Sequence, residues 1–118
     1  MDLLGVKLIE DKKVGDFENF NIKEVFKIDT YNNGGHSVPR YHTRKGVYVG
    51  ISTLAECKKA FDFIQLDNGT LADGKQISHV SDNGWSLIAH FYNTDITANI
   101  ARSKKKMIEH LISGLSEA

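Results

Sequence analysis

The sequence predicts an α+β fold: an antiparallel-rich sheet of about five strands with two helices packed on one face, in the order β-β-β-α-β-β-α. Three observations predict it. Asn83-Gly84 stands between two alternating runs, "KQISHVSD" and "WSLIAHFYN", which is the strongest short-range sign of a hairpin. Thr53 followed by Glu56 makes a capping box ahead of apolar residues at helical spacing. Towards the end, Ile96, Ile100, Met107, Ile108, Leu111, Ile112 and Leu115 recur as an apolar stripe with a helical period.

The elements follow in order. "LLGVKLIE" alternates imperfectly and reads as a first strand. "DKKVGDFENFN" is polar, contains a glycine and reads as a loop. Lys23 to Tyr31 reads as a second strand, with Phe26 and Ile28 on one face and Lys27 and Asp29 on the other. Asn32-Asn33-Gly34-Gly35 stops it, since Asn and Gly tolerate positive φ. Gly46 to Ser52 reads as a third strand, with Val47, Val49 and Ile51 on one side. The first helix begins after Thr53, carries Leu54, Cys57, Phe61 and Ile64 inward, and stops at Asp67-Asn68-Gly69. Asp73-Gly74 is a turn.

In the hairpin, a two-residue type I′ turn would pair Asp82 with Trp85, Val80 with Leu87, His79 with Ile88 and Ile77 with His90. Val80, Trp85, Leu87, Ala89 and Phe91 then share one face, and Ile77, His79, Ile88, His90 and Tyr92 the other. Asn93 or Thr94 caps the last helix, Asp95 suits its positive end, and Gly114 marks fraying.

A chain of 118 residues fits one globular domain over 1–118, with a real core and no staples. The lone cysteine, Cys57, allows no internal disulfide and fits a reducing compartment. No apolar run is long enough to span a membrane, and the basic-then-apolar pattern of a signal peptide is missing, so the expectation is a cytoplasmic protein without a membrane partner. Asn68-Gly69-Thr70 matches a glycosylation sequon, which carries little meaning without a secretion signal.

The formal net charge is zero, from 15 basic and 15 acidic residues, which weighs against a generic nucleic-acid binder. The distribution is uneven. Residues 30–55 carry Arg40, Arg44 and Lys45 and no acid, and residues 101–118 carry Arg102, Lys104, Lys105 and Lys106 against Glu109 and Glu117. Two basic islands stand in an otherwise slightly acidic chain.

The first island is read as a loop, residues 34–46, and as the main site candidate. Gly35 lets backbone amides approach an anion, Arg40 and Arg44 offer planar forks for phosphate or carboxylate, and Lys45 adds a point charge. Tyr41 and His42 suit stacking on a base, and His36 adds a second imidazole. The plain alternative is a solvated connection between two strands. His79 and His90 fall diagonally on one hairpin face, within reach of each other. Such a pair suits either ordinary strand hydrogen bonds or the acid and base of metal-free RNA cleavage, provided the loop supplies a cation. Lys104 falls in the apolar stripe, where a lysine must snorkel, pair or face a bound anion. Arg102, Lys105 and Lys106 read as a solvated face or a patch for an acidic partner. Cys57 reads as a small core residue. No zinc spacing, phosphate loop or nucleophile elbow is present, so neither a metal nor a cofactor is expected, and the weight falls against an enzyme.

The leading expectation is a small binding module for an anionic ligand, a nucleotide or nucleic-acid phosphate, held through residues 34–46. The alternatives are a protein-binding inhibitor or accessory factor of the immunity or anti-defence kind, and a metal-independent ribonuclease using a histidine pair. Partners are therefore nucleic acid, a nucleotide or a protein. Homo-oligomerisation is compatible with all three.

Overall fold

A computed structural model of the chain describes residues 1–10 and 12–111, without the side chains of Asn33 and Leu111. The described residues form a small, mostly antiparallel β fold with few and short helices. The strands are β1 (Asp2–Ile9), β2 (Lys12–Asn21), β3 (Val25–Asn33), β4 (His36–Thr43), β5 (Gly46–Val49), β6 (Ile64–Asp67), β7 (Thr70–Ala72), β8 (Ile77–Asp82), β9 (Leu87–Phe91) and β10 (Thr97–Ile100). The helices are α1 (Leu54–Ala60) and α2 (Lys105–Ile108), with 3-10 turns at Ile22–Glu24, Gly74–Gln76, Arg102–Lys104 and Glu109–Leu111. One seven-stranded sheet runs β2-β1-β5-β4-β3-β7-β6, and a second, three-stranded sheet runs β10-β9-β8.

The expected α+β class holds broadly, but ten strands among the described residues replace the expected five. Two polar stretches account for two of the five additional strands. Lys12–Asn21 is a strand, not a loop; it lies at the sheet edge, and Lys12 to Asn19 are all exposed, so no burial pattern marks it. His36–Thr43 is likewise a strand, β4, sandwiched between β3 and β5. Its loop-like composition is overridden because both of its edges are paired.

The helices are shorter than expected. Thr53 and Glu56 form the predicted reciprocal box: Thr53 Oγ1 accepts from Glu56 N, and Glu56 Oε1 from Thr53 N. The helix nevertheless ends at Ala60, with Phe61 already extended. Phe61 packs with Phe20 and Tyr41 in one core cluster while Ile64 packs against the other, so the chain must straighten to serve both. Asp67-Asn68-Gly69 accordingly turns β6 into β7, Asp67 Oδ1 accepting from Gly69 N. The predicted last helix begins instead as β10: Ala98 and Ile100 are buried while Thr97 and Asn99 are exposed, a period of two rather than 3.6. Asn93 adopts a left-handed φ of 59° in the preceding turn rather than capping a helix. Ile112, Gly114 and Leu115 lie outside the described residues.

The β8–β9 hairpin keeps the predicted inner face at Val80, Leu87, Ala89 and Phe91 but not the predicted register, and Trp85, expected on that face, stands 90% exposed in the loop. Its loop has four residues, Asn83 to Ser86, and the pairs are Asp82–Leu87, Val80–Ala89 and His79–His90. A shift of two residues leaves each side chain on its face. A bulge between Ile77 and His79 then turns Ile77 inward, against expectation.

Two clusters make the core. One gathers Phe26, Leu66, Val80, Leu87, Phe91 and Ile108 under the second sheet. The other gathers Phe20, Val25, Ile28, Tyr41, Tyr48, Cys57 and Leu71, with Leu54 of α1. A bulge between Val25 and Lys27 sends Phe26 and Ile28 to different clusters rather than to one face. The helices do not share a face either: α1 packs on the second cluster and Ile108 of α2 on the first.

Candidate functional site

Strand order and direction bring three chain reversals and the segment after β10 to one end of the molecule. β3 runs antiparallel to β7 with Ile28 opposite Leu71, so the Asn68–Gly69 turn lies towards the β3–β4 turn. Leu66 O accepts from Ala101 N at 2.8 Å, which sets the end of β10 beside that turn. β10 runs antiparallel to β9 with Ile100 opposite Leu87, so the β8–β9 loop and the Arg102–Lys106 segment extend in the same direction.

The β3–β4 turn extends beyond its flanking strands. β7 pairs with β3 no further than Ile28, and β5 pairs with β4 no further than Arg40. Tyr31 to Val38 therefore continue as a two-stranded ribbon without flanking strands. Four residues at about 3.3 Å each carry its tip about 13 Å beyond the sheet. Gly34 and Gly35, with φ of 60° and 90°, make the reversal that a side chain would strain. His36 and Ser37 are exposed, and Ser37 Oγ donates to Asn32 Oδ1 at 2.7 Å, which braces the ribbon.

The cations of this end come from the C-terminal island. Arg102, Lys104, Lys105 and Lys106 occupy five consecutive positions with Ser103. One carboxylate, Asp82, receives both Arg102 (3.1 Å) and Lys105 (3.1 Å). Those contacts and the Gly84 N–H hold its pKa well below the ordinary carboxylate range. Within residues 101–111 four Lys and Arg stand against one acid, Glu109.

The residues expected to form one pocket do not converge. β4 spans roughly 25 Å at eight residues, which separates its ends. Gly35 and His36 stand at the tip. Arg44 and Lys45 stand at the opposite end, in the β4–β5 turn. Arg44 donates Nε and Nη2 to Tyr92 O and Nη1 to Gln76 Oε1, and lies 5.0 Å over the Phe26 ring. Lys45 pairs with Glu24 at 3.0 Å. Between them, Arg40 and His42 face Asp29, with Arg40 Nε at 2.7 Å and His42 Nε2 at 2.9 Å from Oδ1. Lys27 Nζ is 3.6 Å from Oδ2. Burial alone would raise the Asp29 pKa, but hydrogen bonds from His42 and Arg40 outweigh it and the shift is downward. His42 Nδ1 is buried without a hydrogen-bond partner among the described residues. Tyr41 is buried on the other face, its hydroxyl 3.3 Å from Cys57 Sγ, so it is no stacking platform.

His79 and His90 are opposite, not diagonal, and their rings stack in parallel with centroids 4.3 Å apart. At that spacing no phosphate fits between the two rings. Ser78 Oγ lies 3.1 Å from His79 Nδ1 and Ser81 Oγ 2.9 Å from His90 Nε2, ordinary strand-surface contacts. Lys104 is half-exposed in the 3-10 turn, at the same end as His36. Of the expected residues, the fold thus brings Gly35, His36 and Lys104 to one end. Arg102, Lys105 and Lys106, read from sequence as a solvated face or a patch for an acidic partner, stand at this same end.

Among the described residues no three of His, Cys, Asp and Glu are grouped as metal ligands, and no helix is long and apolar enough to cross a membrane.

No family model matches the chain, and no curated protein matches it. Among solved structures, the chain is similar to the LytTr DNA-binding domain of a putative methyl-accepting/DNA response regulator from Bacillus cereus, with a TM-score of 0.67 over 92% of this chain and 95% of that one. The sequence identity is 10%, so the likeness is one of fold.

Proposed function

We propose that the protein is a small nucleic-acid-binding module that grips DNA with the end built from the β3–β4 ribbon, the Asn68–Gly69 turn and the Arg102–Lys106 segment. The observation that carries the reading is that the protruding polar ribbon and the densest run of cations lie at the same end of the fold. The likeness to a domain described as DNA-binding points the same way. A two-stranded ribbon is one of the two elements the major groove admits, and the groove is roughly 8.5 Å deep, within the ribbon's reach. His36, Ser37 and Asn32 at its tip offer donors and acceptors to base edges. Arg102 and Lys104 to Lys106 suit the phosphates, which supply affinity without sequence preference. The anionic ligand is thus the nucleic-acid backbone, and of residues 34–46 only the tip takes part.

Anisotropy of a labelled 20-base-pair duplex tests this. Affinity is expected to fall steeply as salt rises from about 50 to 200 mM, with a slope of about −0.9 per neutralised phosphate. K104A/K105A/K106A should weaken binding and flatten that slope, whereas R44A and K45A, at the other end, should leave both unchanged. Binding that ignores salt and the triple substitution would defeat the proposal.

A further inference from the structure

We propose that Trp85 stacks on an unpaired nucleobase, so that the module prefers DNA with a base out of its duplex stack; this rests on the nucleic-acid reading above. Trp85 is the chain's one tryptophan and is 90% exposed at the tip of the β8–β9 loop. An indole so placed gains nothing from the core, while its bare face is the kind of surface on which any base stacks.

The loop holds it in place. Asn83 Oδ1 accepts from Trp85 N (2.9 Å) and Ser86 N (2.8 Å), and Asp82 Oδ1 accepts from Gly84 N (2.9 Å). Asn83 N donates to Ser86 O at 3.3 Å, closing the turn. The backbone beneath the ring is therefore ordered before any ligand arrives, and less freedom is lost on binding. The base of the same loop is Asp82, which anchors Arg102 and Lys105 beside it. An aromatic face flanked by cations is the pairing by which single strands are held: the ring takes the base and the cations take the adjoining phosphates. A paired base inside a helix has both faces covered, so the indole takes a base that is bulged, flipped or single-stranded. The cations favour nucleic acid over a protein partner for this ring.

The sole indole is also the reporter. The full chain is titrated with three probes: a perfect duplex, the same duplex with one bulged base, and a single strand of equal length. Anisotropy and tryptophan emission are read together. The expected result is quenching by the bulged and single-stranded probes, with W85A binding them about tenfold more weakly and W85F retaining most of the affinity. W85A should bind the perfect duplex as the native chain does, with the same salt slope. If W85A binds all three probes unchanged and emission does not move, stacking is overturned and the phosphate reading survives. If none of the probes binds, both fall. An emission change that grows with protein concentration alone, and that W85A abolishes, would assign Trp85 to a contact between copies of the chain and overturn stacking.

Discussion

Asp29 shows how a single side chain decides which cations are available. Its carboxylate lies mid-strand on β3 and meets Arg40, His42 and Lys27. A carboxylate stripped of part of its water is stable as an anion only when paired, and here three positive or hydrogen-bonding partners compensate it. The sequence lists Arg40 and His42 as cations of an acid-free stretch. It does not show that β3 lies alongside β4 and supplies the missing acid. Asp29→Ala should cost roughly 2–4 kcal/mol, because Arg40 and His42 lose their partner while partly buried; urea unfolding measures it. The pH dependence has a definite sign. Asp29 has its pKa lowered on folding, so its contribution is present above the unfolded value of about 4 and is lost as pH falls below it. The native chain should therefore lose stability on acidification below about pH 4 by more than the D29A variant does.

At the scale of elements, local rules fix starts and turns, and pairing fixes extents. The Thr53–Glu56 box specifies where α1 begins, because both bonds lie within four residues. Thr53→Ala should cost about 1 kcal/mol, read as a lowered midpoint in thermal unfolding, with the strands intact. Where α1 ends is not local: the chain leaves the helix at Phe61 to place Ile64 in β6 beside β7. The β8–β9 hairpin divides the same way. Alternation assigns Val80, Leu87, Ala89 and Phe91 to the inner face from sequence. Register was beyond the Asn-Gly rule, since Asn83 spends its side chain closing a four-residue loop. β2 is the extreme case, a mostly polar strand exposed from Lys12 to Asn19, with Phe20 its one buried residue, so that its extent is set by pairing with β1.

The whole molecule is elongated, 49 × 28 × 26 Å, with two clusters that meet along β6 and β7. On β7, Leu71 points into one cluster and Ala72 into the other, and on β3 Ile28 and Phe26 divide the same way, so both strands couple the two halves. Leu71→Ala should cost about 2–5 kcal/mol, as for other buried leucines, and lower the stability of both sheets together. Urea unfolding followed by amide signals from β4 and from β9 should give coincident transitions. Two separate transitions, with only β4 shifted, would show the clusters to be independent.

By itself the sequence determined what depends on near neighbours: the helix cap, the inner face of the hairpin, the buried Cys57 and the uneven spread of charge. Each follows from residues a few positions apart, acting through alternation or a short hydrogen bond. The tertiary structure alone decided that "HSVPRYHT" is a strand, that Arg44 and Lys45 lie far from His36, and that His36, Asn68, Trp85 and Lys104 share an end. Those are questions of which strands pair and in which direction. Their hydrogen bonds join residues tens of positions apart, and a linear pattern carries no record of them.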